Sequence, residues 1–183
     1  TEESSDLFFE KKRVFSKRSP LSLNKSTELL RKNIDNRALL TLFEEGEEKS
    51  NRSKKNAEEH ERLISDMFYS IFSASRANDD VINDYTQFIN DEIITIDDKC
   101  MFISALMLNI MQRFDLKKIL FLLNCCAHNN MPISMRSIVS ITPILQQYKN
   151  RWHLYPEFIN RIKLLSDEGF FQRRLLISII QFI

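Results

Sequence analysis

From about residue 79 onward, apolar and polar positions recur in paired blocks. Each block is a polar-capped apolar helix, a short turn and a second apolar helix, repeated about every 35 to 38 residues. The echo is plainest between Met135-Arg136-Ser137-Ile138-Val139-Ser140-Ile141 and Arg173-Arg174-Leu175-Leu176-Ile177-Ser178-Ile179. The spacing predicts three hairpins, over 79–113, 115–149 and 154–183. In the first, Val81, Ile82, Tyr85, Phe88 and Ile89 share a helix from Asp79 or Asp80 to Ile93, and Asp97 and Asp98 open its companion. Phe102, Ile103, Ala105, Leu106, Leu108 and Ile110 spread around that companion, so it must be covered on several sides. The second hairpin starts at Asp115, turns at His128-Asn129-Asn130, and resumes with Pro132 in a first turn, where its missing N–H is harmless. Pro143, inside that helix, predicts a kink. Tyr155-Pro156-Glu157 opens the third hairpin, and Gly169 suits the left-handed residue of a C-cap.

Upstream the pattern loosens. Residues 1–23 are polar with scattered Phe8, Phe9 and Phe15, and they predict an N-terminal arm. Residues 24–76 predict a helical hairpin. Its first helix is capped by Asn24 or Ser26 and ends at Glu44-Glu45-Gly46, and its second buries Leu63, Ile64, Met67, Phe68, Ile71 and Phe72. Between them, the charged stretch near 46–56 predicts a flexible loop.

Hairpins that bury their apolar faces only against neighbours build a stacked array. The expected fold is all-α: stacked antiparallel helical hairpins forming a short right-handed α-solenoid. Two glycines and four prolines are too few for a many-turned β-sandwich, which agrees. The last helix adds a functional expectation, because its apolar residues surround it, whereas a solenoid ends in a polar cap. Leu175, Leu176, Ile179, Ile180 and Phe182 are therefore expected to contact a partner or a next repeat. Either the stack continues in a longer chain, or two copies form a dimer through this C-terminal helix.

Charge and chemistry narrow the function. Lys and Arg number 26 against 25 Asp and Glu, which gives no long-range field to draw in nucleic acid or anionic lipid. Adjacent Cys125 and Cys126 point about 100° apart on a helix and cannot readily bridge each other. With Cys100 they are expected to be reduced, buried thiols of a cytoplasmic protein. Cys125-Cys126-Ala127-His128 lacks a second ligand pair, so no metal is expected. Gly46 and Gly169 alone cannot form a phosphate loop, and there is no nucleophile elbow, HExxH helix or CxxC pair. The acid pairs Asp79-Asp80, Asp91-Glu92 and Asp97-Asp98 stand at helix ends, where capping explains them without catalysis. No catalytic, cofactor-binding or metal residue is expected. His60 is expected at the surface, His128 in a turn, and His153 beside Trp152 and Tyr155 in a connector over a hairpin seam. Arg136, Arg173 and Arg174 oppose the dipole at helix starts, which predicts carboxylate partners from neighbouring turns.

Leu122-Leu123, the turn His128-Asn129-Asn130 and Pro132-Ile133-Ser134-Met135-Arg136-Ser137-Ile138-Val139 together resemble a HEAT repeat. Leu164-Leu165, Asp167-Glu168-Gly169 and Gln172-Arg173-Arg174-Leu175 resemble another, so the likeness covers about residues 79–183. Lys99-Cys100-Met101-Phe102 departs from the Arg step of that family, and Asn129 and Asn130 replace its turn acid. The stretch from Phe114-Asp115 to Trp152-His153-Leu154-Tyr155-Pro156 also resembles helical-repeat parts of large bacterial proteins with tetratricopeptide-like segments. The resemblance implies a non-catalytic scaffold for protein–protein interaction, its partner another protein or the remainder of its own longer chain. Two alternatives stand beside it. One is a nucleic-acid-binding α-solenoid using Lys117, Lys118, Arg136, Lys149 and Arg151 along one rim, and the other is a helical regulatory segment of a larger enzyme.

Overall fold

The structure is a computed structural model and describes residues 22–43, 47–167 and 169–180. Among the described residues the chain is all-α, with no strand. The helices are α1 (Leu23–Phe43), α2 (Glu47–Ser73), α3 (Asp79–Asn90), α4 (Ile96–Gln112), α5 (Leu116–Cys126), α6 (Met131–Gln147), a 3-10 turn (Trp152–Leu154), α7 (Pro156–Asp167) and α8 (Phe170–Ile180). Of the expected arm, residues 1–21 lie outside the described residues, and Leu23 already belongs to α1. No described helix is long and apolar enough to cross a membrane.

Side-chain caps set the helix starts. Asn78, Thr95, Asp115 and Asn130 hold extended backbone, and their side-chain oxygens accept the N–H groups of Val81, Asp98, Lys118 and Ile133. Thr95, not Asp97 or Asp98, therefore caps α4, and the two acids occupy its first turn, where they complement the dipole. At α1 the Ser22 hydroxyl accepts the Lys25 N–H at 3.4 Å, ahead of either expected cap, while Ser26 is buried. Gly169 sits at φ +64° after α7 and donates its N–H to the Ser166 carbonyl at 3.2 Å.

The charged stretch near 46–56 is not a loop where it is described. From Glu47 it is the first part of α2. From Glu47 on, its Glu, Lys and Arg residues are good helix formers without an interior Gly or Pro, and one side of a helix can stay solvated. A reciprocal pair also ties it to α1: Asn56 Nδ2 donates to the Asn33 carbonyl, and Asn33 Nδ2 to the Asn56 carbonyl, both at 3.1 Å.

Helices two apart in the chain pack together in both series: α1 on α3, α3 on α5 and α5 on α7, and likewise α2 on α4, α4 on α6 and α6 on α8. Cross-contacts of α1 with α2, α5 with α6 and α7 with α8 join the two series. Helix α4 is enclosed on several sides. Phe102, Ile103, Ala105, Leu106 and Ile110 have no exposed surface, and Leu108 is half-buried. Phe102 meets Tyr85 and Phe88 of α3 at 5.1 and 5.0 Å between ring centres, and Phe121 of α5 lies 5.6 Å from Tyr85. One apolar cluster runs from Leu30 in α1 to Phe171 in α8. Each large side chain sunk into it contributes about 1.5–3 kcal/mol relative to exposure.

Candidate interaction surface

Two buried polar nodes fix the helices on which any surface is built. Lys118 on α5 is 1% exposed. Its Nζ donates to the Ser75 carbonyl at 2.6 Å and to Asn109 Oδ1 at 2.7 Å. Asn109 Nδ2 in turn donates to the carbonyls of Phe72 and Ala74. Asp115, besides capping α5, accepts the Ala77 N–H at 2.8 Å. The connector between α2 and α3 is thus held by groups from α4 and α5. Burial pulls the Lys118 ammonium below the ordinary lysine range, against the pull of nearby Asp115. The sequence pattern did carry a signal, since Lys118 shares its helical stripe with Phe121, Leu122 and Cys125, all buried.

His60 forms the second node and is not the surface residue expected. Its ring nitrogens face Asn33 Oδ1 of α1 at 3.2 Å and Asp98 Oδ1 of α4 at 3.1 Å, and its side chain is 21% exposed. Asp98 Oδ2 is buried with no partner among the described residues. Asp91, buried beside this region, accepts from Arg31 Nε at 2.6 Å. Asp98 and Asp91 thus each join two helices.

Around His153 the structure shows a packed seam. Trp152 stacks on Phe158 at 4.0 Å and donates Nε1–H to the Leu145 carbonyl. Phe114 lies 5.1 Å from both Tyr148 and Tyr155, and the Arg151 guanidinium sits 5.4 Å from the Phe114 ring centre. The Tyr148 hydroxyl donates to the Ile110 carbonyl at 2.7 Å, which fastens the end of α6 to α4.

Of the five residues expected along a basic rim, Lys118 is buried, whereas Lys117, Arg136, Lys149 and Arg151 are exposed. Lys118 is internal, Lys117 pairs with Asp79 at 2.7 Å, and Arg151 covers aromatic rings. Arg136 lies beside Cys100 of α4, where its charge opposes the rise that burial gives the thiol. Arg174 of α8 makes the corresponding reach onto α6, donating to Ser134 Oγ at 3.3 Å and Met131 Sδ at 3.1 Å. Cys125 and Cys126 are buried and Cys100 half-buried; all three are free thiols. Burial pushes the Cys125 thiol up to about 12 and the Cys126 thiol higher still. A shallow groove of about 320 Å³ lies between α3 and α5, floored by Ile82, Ile89, Leu120 and Phe121.

The apolar surface that stands out is on α8. The side of α6 facing α8 carries Ser134, Ile138 and Thr142, at 2%, 0% and 6% exposure, and Thr142 Oγ1 meets Ser178 Oγ at 3.1 Å. Advancing 38 positions along the repeat gives Gln172, Leu176 and Ile180 of α8. Leu176 and Ile180 are 59% and 61% exposed, and Ile177 beside them 51%. The face that α8 covers on α6 is therefore uncovered on α8 itself. Of the expected contact residues, Leu176 and Ile180 lie on this open side, and Leu175 is half-buried against the core. The side chain of Ile179 and the whole of Phe182 lie outside the described residues. Comparison of the chain with protein-family models, with curated proteins and with solved structures finds no match.

Proposed function

We propose that the chain is a non-catalytic helical-repeat scaffold, a short α-solenoid of HEAT-like hairpins that binds another polypeptide. The observation that carries this reading is the contrast between Ile138, fully buried beneath α8, and its repeat equivalent Leu176, 59% exposed. A stack in which each hairpin shields the previous one leaves an apolar surface wherever shielding stops. Leaving several large aliphatic side chains in water forgoes about 1.5–3 kcal/mol each, so a partner that covers them is favoured. The two longitudinal series of helix contacts support the stacked arrangement.

The test is purification of the tagged chain from its native host beside a Leu176→Asp/Ile180→Asp variant, with mass spectrometry of what is retained. The scaffold reading expects a polypeptide, another protein or an untagged copy of this chain, held in stoichiometric amount by the native sequence and lost from the variant. Retention that is equal in both, or of nucleic acid with a steep salt dependence, refutes it.

A further inference from the structure

Arg76, Arg113 and Arg151 stand 37 and 38 residues apart, the interval of the repeat, and each falls in the turn that follows a helix of one series: α2, α4 and α6 in order. All three are exposed, and no carboxylate among the described residues pairs with any of them. Because α2 packs on α4 and α4 on α6, the three turns lie side by side on one rim. Each turn is pinned. Lys118 Nζ holds the Ser75 carbonyl and Asp115 the Ala77 N–H, on either side of Arg76. The Arg113 N–H donates to the Asn109 carbonyl at 3.0 Å, and the Arg151 N–H to the Tyr148 carbonyl at 2.8 Å. We propose that this ladder of three guanidinium groups docks an extended acidic segment of another polypeptide, with carboxylates at about every third residue. The rim shares no residue with the apolar side of α8, so the proposal stands independently of what covers that side.

Spacing and charge select this partner. Packed helices lie about 8–10 Å apart, and an extended chain covers about 10 Å in three residues, so one carboxylate can meet each arginine. A guanidinium presents a planar fork of N–H donors that matches a carboxylate. Arg151 keeps this capacity, because stacking over Phe114 and Tyr148 engages the face of its guanidinium while the N–H groups lie in its plane. Pinned turns also lower the ordering cost of binding. A nucleic acid fits less well. Each strand of a duplex brings a phosphate about every 3.4 Å along the axis, and exposed Asp79, Asp80 and Glu157 open the helices that leave the first and third turns. An unbroken run of phosphates would meet those acids, whereas a spaced acidic peptide can set neutral residues beside them. Surface ion pairs are individually weak, so three of them give a Kd of about millimolar order for a minimal peptide.

Nuclear magnetic resonance titration of the 183-residue chain with a synthetic peptide of three Glu-Ser-Gly repeats tests the proposal, read at the arginine Nε–H signals. The signals of Arg76, Arg113 and Arg151 should shift together along one saturating curve, and the Kd should rise several-fold as salt increases to about 0.15 M. Arg113→Ala should raise the Kd about two- to fivefold, and Arg76→Ala/Arg113→Ala about tenfold. Both are surface changes, and their circular dichroism should match the native spectrum. Lys163→Ala removes the same charge from an exposed position on α7 and should leave the Kd unchanged. A peptide of the same composition with its glutamates adjacent cannot span the ladder and should bind more weakly. Absence of shifts at the three arginines overturns the proposal, as does binding that ignores the glutamate spacing or falls equally in Lys163→Ala. A single-stranded oligonucleotide that binds more tightly than the spaced peptide, and is released by the same arginine substitutions, would give the rim to nucleic acid and overturn the acidic polypeptide as its partner.

Discussion

Replacing Lys118 with Met separates two readings of the same residue. As a member of a basic rim, Lys118 would be exposed, and its loss would leave stability unchanged. In the structure it is 1% exposed and donates to Ser75 O at 2.6 Å and Asn109 Oδ1 at 2.7 Å. Methionine has a similar reach and volume, so Lys118→Met opens little cavity and the cost comes from the hydrogen bonds. Two acceptors lose a charged donor, and a buried acceptor left without a partner costs about 1–3 kcal/mol. Part of that is offset, because an ammonium no longer has to be held out of water. The net expectation is a loss of about 2–4 kcal/mol, since the orphaned acceptors also belong to the node that positions the α2–α3 connector. For a chain of this size each kcal/mol moves Tm by about 2–4 °C, so the variant should melt about 4–16 °C lower. Urea titration followed by circular dichroism gives the free energy directly, provided the slope m is unchanged. A Lys118→Met chain within about 0.5 kcal/mol of the native one would refute the reasoning and return Lys118 to the surface.

The same side chain predicts a pH effect. Burial lowers its folded-state pKa below the unfolded value, so the folded chain releases its proton first. Stability contributed by Lys118 should then rise as pH climbs from that lowered value toward the ordinary lysine value of about 10.4, and the Lys118→Met chain should lack this component in pH-resolved urea titrations. His60→Ala should cost about 1–3 kcal/mol by orphaning Asn33 Oδ1 and Asp98 Oδ1, and it should speed hydrogen exchange in α1. An unchanged exchange pattern would count against His60 as a joint between helices. At Gly169 an added Cβ meets nothing within 4 Å, so Gly169→Ala should cost only the left-handed strain of about 1–2 kcal/mol. A larger loss on chemical unfolding would point to a contact that this geometry lacks. Phe102→Ala, at the meeting of α3, α4 and α5, should cost about 3–5 kcal/mol on the same assay.

Periodicity along the chain determined the helical class, and capping chemistry placed helix starts within a few residues. Asp115, Pro132 and Gly169 stand where local rules put them, because each acts through its own backbone neighbours. The errors were of another kind. The stretch near 46–56 has no apolar stripe, so hydropathy pointed to a loop, whereas its helix formers and the Asn33–Asn56 pair with α1 make it helical from Glu47. His60 and Asp98 are polar residues whose partners lie on other helices, so three-dimensional packing was needed to show that they are internal, whereas Lys118 was marked by its apolar stripe but its acceptors were not. Likewise, the apolar girdle of the last helix was visible in the sequence, but which of its sides is open was not. That was decided by α6, which takes Ser178 and Arg174 and leaves Leu176, Ile177 and Ile180 facing water. Local rules act over one or two turns of chain and are written in neighbouring residues, while burial and exposure depend on which helices meet. Those meetings are set by contacts tens of residues apart.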